Sequence, residues 1–248
     1  GPCLFAVFMG LGVASTAALA YPSSVAVFLG LIVAAKVGLH GGNIFYDAML
    51  PEIAGGGRMD RISSQGYALG YIGSVIPFAV CLVLVLLHDT FGMSQVTALI
   101  ISFVLTAVWW IVCSVPLAKS YKQTAFHEGG GKPISQSFKQ LGRTFKEAKK
   151  HKHIFVYLIA FFFFIDGVYT IIDMATAYGT ALGLDTTGLL LALLVTQIVA
   201  FPFAILFGRL ATKYDTGLLI KICIICYTCI TAFGMFLVSL WQFWVLAT

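Results

Sequence analysis

SQVTALIISFVLTAVWWIVCSVPL, residues 94–117, holds no Asp, Glu, Lys, Arg or His in 24 residues. Coiled at about 1.5 Å per residue, it makes a helix of about 36 Å, longer than a hydrocarbon core of about 30 Å. In that solvent every backbone N–H and C=O must be bonded within the segment, and a helix does this. Residues 154–165 and 187–207 are apolar runs of the same kind. The 248-residue chain as a whole is 60% hydrophobic and 10% charged, whereas a soluble domain is near half apolar and about a quarter charged. These figures exclude a disordered chain, a disulfide scaffold and an ordinary soluble enzyme. They specify an all-α polytopic membrane protein.

Working outward, seven runs have spanning length: about 2–20, 24–46, 63–88, 94–117, 153–177, 187–210 and 218–240, with 241–248 opening an eighth. Turn signals separate them at Tyr21-Pro22-Ser23-Ser24, Gly55-Gly56-Gly57, His88 to Met93 and Gly179 to Thr187. Trp241 and Trp244 suit the interfacial aromatic belt. Gly1 is not an initiator Met, no charged leader precedes the first apolar run, and the last run is still apolar at Thr248. The chain is therefore expected to be the middle of a longer protein. Cys3, Cys81, Cys113, Cys223, Cys226 and Cys229 all sit in apolar runs, where a thiol behaves as a small hydrophobe. Neither disulfides, a metal site nor a cofactor is expected from them.

The net charge of +5 comes from 15 basic and 10 acidic residues. Fourteen of the fifteen bases lie in or beside alternate connections: Arg58 and Arg61 after the second span, nine residues from Lys119 to Lys152 after the fourth, and Arg209, Lys213 and Lys221 after the sixth. The intervening connections hold Asp89 and Asp185 and no base. The positive-inside rule then puts the basic connections in the cytoplasm. The charge labels a side of the membrane, and no nucleic-acid partner is expected.

The central connection, 118–152, carries a pattern of its own. Beyond Gly129-Gly130-Gly131 and Pro133, the apolar residues Ile134, Phe138, Leu141, Phe145 and Ala148 recur at i, i+4, i+7, i+11 and i+14, with Lys and Arg143 on the other face. This spacing predicts a basic amphipathic helix within 134–152 lying on the inner leaflet. Each base there gains about 1 kcal/mol from anionic lipid. The expected partners are thus the bilayer, its anionic inner-leaflet lipids and a small-molecule substrate. His151 and His153 flank Lys152, too cationic a setting for a metal pair.

Three charges fall well inside the expected spans: Lys36, Asp166 and Asp173. Each costs roughly 2.5–3.5 kcal/mol on insertion scales. Lys36, His40, Asn43 and Asp47 recur at helical spacing on the second span, and Asp166, Tyr169, Thr170, Asp173 and Thr176 on the fifth. Two polar stripes in apolar helices imply a water-accessible cavity. Lys36 serves there either as one half of a structural ion pair or as counter-charge to an aspartate that binds a proton or substrate. Gln197, followed by Pro202, is a weaker cavity candidate, with a helix–helix hydrogen bond as its plainer role. Gly66, Gly70 and Gly73, followed by Pro77, allow close helix approach or a gating hinge.

Asn43-Ile44-Phe45-Tyr46-Asp47-Ala48-Met49-Leu50-Pro51-Glu52-Ile53-Ala54, followed by Arg61-Ile62-Ser63-Ser64-Gln65-Gly66-Tyr67-Ala68-Leu69-Gly70-Tyr71-Ile72-Gly73, resembles the autophagy-related vacuolar effluxer-like branch of the major facilitator superfamily. The same likeness runs from Ile165-Asp166-Gly167-Val168 through Ala175-Thr176-Ala177-Tyr178-Gly179-Thr180 to Ala200-Phe201-Pro202 and Phe207-Gly208-Arg209-Leu210-Ala211, in wording nearer bacterial members. The resemblance implies twelve spans in two halves, of which these seven are the third to ninth. It implies parts of an N-terminal half at 1–117 and of a C-terminal half at 153–248, joined by the cytoplasmic loop 118–152. The polar stripes then fall on the fourth and seventh family helices, which line the central cavity. Gly208 and Arg209 open the superfamily's loop motif and carry its conformational role, although Thr212 stands where an acid is usual.

The resulting expectation is a secondary transporter, not an enzyme, moving a small solute by alternating access with ion or proton coupling, and the resemblance implies amino-acid efflux. The chain lacks a G-x-x-x-x-G-K-[ST] loop, which argues against drive by ATP. A seven-helix receptor conflicts with a cytoplasmic N-terminal end. An intramembrane aspartyl protease lacks the partner Gly-x-Gly-Asp motif. The remaining alternative is a truncated fragment without activity.

Overall fold

The computed structural model describes residues 2–54, 59–120 and 133–248. The Gly55-Gly56-Gly57 turn, Arg58, Lys122, Gly129-Gly130-Gly131 and Lys132 lie outside the described residues, as do the side chains of Ile134 and Phe138. The described backbone forms α1 (Pro2–Ala18), α2 (Val25–Ala54), α3 (Met59–Leu86), α4 (Gln95–Ser120), α5 (Pro133–Lys150), α6 (Lys152–Ala181), α7 (Thr186–Ala211), α8 (Thr216–Gly234) and α9 (Leu240–Ala247). Six of these helices, α2–α4 and α6–α8, are long and apolar enough to cross a membrane. The chain is a multi-pass membrane protein.

The helix ends follow local chemistry. The Val27 N–H donates to Ser24 Oγ at 3.3 Å and the Thr97 N–H to Ser94 Oγ at 3.1 Å, so a serine caps the start of α2 and of α4. The turn after α6 closes when Leu184 N–H reaches the Gly179 carbonyl and Gly183 N–H the Thr180 carbonyl. That paired closure needs a left-handed residue, and Gly183 supplies it with φ of 75°. Gly92, with φ of 65°, makes the same turn before α4.

Several boundaries differ from expectation. α1 ends at Ala18, two residues before the expected end of the first span. The i−3 bonds Ala20 N–H to Ala17 O and Tyr21 N–H to Ala18 O tighten its end, and Pro22 cannot continue it. The run 218–240 is cut short: α8 stops at Gly234, and Ser239 caps the start of α9, with Gln242 Oε1 accepting from the Ser239 N–H at 3.1 Å. α2 continues past residue 46 to Ala54, which brings Asp47 inside the helix.

The helices fall into two compact units, α1–α4 with α7, and α5, α6, α8 and most of α9. In the first unit α1 and α2 meet through glycine. A Cβ built on Gly38 would strike the backbone of Gly12 and the Phe8 carbonyl; one on Gly41 would strike the Phe8 ring, and one on Gly12 the Trp110 indole of α4. Phe8 also stacks on Phe45 with centroids 5.8 Å apart. Between membrane helices such close van der Waals packing supplies the association, since lipid is as apolar as a leucine side chain. In the second unit Phe164 of α6 meets Tyr227 of α8 edge to face at 6.0 Å, and Tyr178 Oη donates to the Gly234 carbonyl at 3.3 Å.

Candidate functional site

α2 is one continuous helix through Lys36, His40, Asn43 and Asp47. At about 100° per residue the four side chains occupy an arc of about 60°. Gly38, Gly41 and Phe45, which pack on α1, lie on the opposite side by the same count. Lys36, His40, Asn43 and Asp47 are all exposed. The helix thus divides its work: a glycine face makes the seam with α1, and the polar face is left uncovered by the packing that holds α2 in place.

α6 repeats the division. Asp166, Tyr169, Thr170 and Asp173 share one face of the unbroken helix Lys152–Ala181, and all four are exposed. Phe164, Val168, Ile171, Ala175 and Gly179, on the reverse face, are half-buried or buried. Asp166 and Asp173 are seven residues apart, or about 10 Å along the axis. Thr176 lies at the margin of the polar face and is half-buried.

α7 holds the remaining polar candidate. Gln197 is half-buried on α7. Beside it Thr196, which sequence reasoning passed over, shares its hydroxyl proton between the Ala192 carbonyl at 2.9 Å and the Ala247 carbonyl at 2.8 Å. A threonine in an apolar run is a weak signal, because the bond back to its own helix is satisfied anywhere. The second acceptor, fifty-one residues away, is visible only in three dimensions.

The glycines of the expected hinge are used unequally. Gly208 is buried, and a Cβ there would fall on the Ser64 side chain of α3. Ser64 Oγ in turn donates to the Arg61 carbonyl at 3.0 Å. A Cβ on Gly66 would come within 3.1 Å of Tyr46 Oη, whereas at Gly70 and Gly73 nothing described lies within 4 Å. Pro77 lies inside α3, which remains one helix through it. Arg209 is exposed in the last turn of α7, where a cation suits the helix dipole. Thr212, in the position where the superfamily motif carries an acid, donates its hydroxyl to the Arg209 carbonyl at 2.8 Å. This bond runs back onto its own helix end.

The sequence family described as vacuole effluxer Atg22-like matches residues 52–248. Over 247 residues, 98% of this chain and 58% of the relative, the protein is 38% identical to the uncharacterised MFS-type transporter YxiO of Bacillus subtilis. It is 27% identical over 195 residues to autophagy-related protein 22-1 of Penicillium rubens, covering 71% of this chain and 31% of that one. The corresponding Aspergillus niger protein is 26% identical over 193 residues, 71% of this chain and 30% of that protein. The chain therefore spans a little over half the length of its bacterial relative and about a third of the fungal ones. No solved structure matches it. The family match takes in every helix from α3 to α9, and the bacterial alignment reaches back through α1 and α2. This chain belongs to the vacuole effluxer Atg22-like family, a branch of the major facilitator superfamily.

Proposed function

We propose that the full-length protein is a secondary transporter that moves a small solute across the membrane by alternating access, coupled to protons or another ion. Amino acids leaving the compartment are the first cargo and direction to test, in keeping with the effluxer name of the family. The observation that carries this reading is the sorting of charge on α2 and α6. Spanning helices that place Lys36, Asp166 and Asp173 on uncovered faces, opposite their packing faces, accept roughly 2.5–3.5 kcal/mol per charge on insertion scales.

In this scheme Asp166 and Asp173 carry the proton or cation and Lys36 holds the counter-charge. His40, Asn43, Asp47, Tyr169, Thr170 and Gln197 supply solute contacts. Gly66, Gly70, Gly73 and Pro77 on α3, with Gly208 and Arg209 on α7, serve the conformational change. The basic connections face the cytoplasm, and 1–117 and 153–248 are parts of the two halves joined through 118–152. The test is a flux screen on the purified full-length protein in liposomes carrying a pH gradient. Accumulation of one or more amino acids that follows the gradient and collapses with it is expected. A protein that stays folded and gives no gradient-dependent flux with any amino acid overturns the cargo assignment.

A further inference from the structure

We propose that the junction of α5 and α6 is a docking site for an anionic phospholipid, which seats an acyl chain between the two helices while the bases flanking and backing α5 supply counter-charge to its headgroup. The site is built within one compact unit and stands apart from the transport reading. α5 ends at Lys150 and α6 begins at Lys152. The turn between them is closed by His151 N–H to the Ala148 carbonyl at 3.1 Å and Phe155 N–H to the His151 carbonyl at 3.0 Å. Phe145 of α5 meets Phe155 of α6 edge to face, centroids 6.2 Å apart, which holds α5 against the first turns of α6.

Between the helices runs an open apolar groove lined by Leu141, Gly142, Thr144, Phe145 and Ala148 of α5 and Leu158 of α6. Leu141 remains 66% and Phe145 61% exposed although α5 is already packed on its neighbour. Apolar surface of this kind on a helix otherwise rich in lysine needs a cover. Lys149 flanks this groove, Arg143, Lys146 and Lys150 lie on the far side of the same helix, all four are exposed, and Glu147 is the one acid among them. α6 has spanning length from Lys152 onward. Leu158, six residues in, sits about 9 Å along the helix from Lys152, so with Lys152 at the headgroups it reaches the depth at which headgroup gives way to acyl chain.

Charge and groove together select the occupant. A free phosphate or a nucleic acid satisfies the lysines and leaves Leu141 and Phe145 in water. A zwitterionic lipid covers the groove and leaves a run of bases without counter-charge. An anionic glycerophospholipid does both, with electrostatic gain that decays within a Debye length of the surface.

Hydrogen exchange on the full-length protein in phosphatidylcholine nanodiscs, with and without phosphatidylglycerol, tests the site. Phosphatidylglycerol should slow the amides of 141–150 roughly tenfold, and high salt should reverse the effect. The triple variant K146Q/K149Q/K150Q should lose the difference between the two discs. Phe145→Ser should speed exchange in both. Equal exchange in the two discs overturns the proposal, as does a triple variant that keeps the difference. Slowing by inorganic phosphate or an oligonucleotide in phosphatidylcholine discs to the same extent also overturns it, because that assigns the lysines to a soluble anion.

Discussion

Two sets of glycines sit in the first unit and do opposite things. At the α1–α2 seam Gly12, Gly38 and Gly41 are filled to contact, so that an added methyl group meets backbone or ring. On α3, Gly70 and Gly73 face open space among the described residues, and Gly66 has only a tyrosine hydroxyl close by. In both cases the sequence shows small residues at helical spacing in an apolar run. The difference teaches that a small residue in a membrane helix marks either a fixed close approach or room kept for one, and that the neighbour decides which.

Alanine substitutions grade the contrast. Gly38→Ala should have the largest effect on stability, because backbone cannot rotate out of the way. Overpacking costs about 1–3 kcal/mol, read as a lower melting temperature of the purified protein in detergent. Gly208→Ala should cost less, since the obstacle is a serine side chain, and Ser64→Gly in the same protein should recover most of the loss. Gly70→Ala and Gly73→Ala should leave melting unchanged or raise it, by at most about 1 kcal/mol of helix propensity. Destabilisation at Gly70 as large as at Gly38 would erase the distinction between the two sets. Slower flux with unchanged melting at Gly70 or Gly73 would sharpen it, by assigning the open stripe to motion.

The same contrast marks how far sequence carried the description. The spans were legible because hydrocarbon imposes long uncharged helices, as in residues 94–117. The polar faces of α2 and α6 were legible too, since four polar residues at helical spacing in an apolar run need only a helix to come together. The α1–α2 seam was not. Gly12 and Gly38 look like any other glycines until Phe8 and Trp110 are placed around them, and Gly41, whose pairing with Gly42 beside His40 marks close packing or a hinge, gains its partner only there. Nor was the end of α8, where propensity favoured continuation and the Ser239–Gln242 capping pair started a new helix. Long-range partners such as Thr196 with Ala247 leave no periodic trace in the chain.

The functional claim rests on charge held on the uncovered face of α6. Asp166→Asn keeps the side chain's size and removes its charge, so the direct measurement is proton-gradient-driven solute flux in liposomes containing the full-length protein with and without this change. We expect flux to fall by at least about a hundredfold, equivalent to roughly 2.7 kcal/mol, while the melting temperature stays within the range of the unaltered protein. Wild-type flux from a folded Asp166→Asn protein would contradict the assignment of this aspartate to coupling.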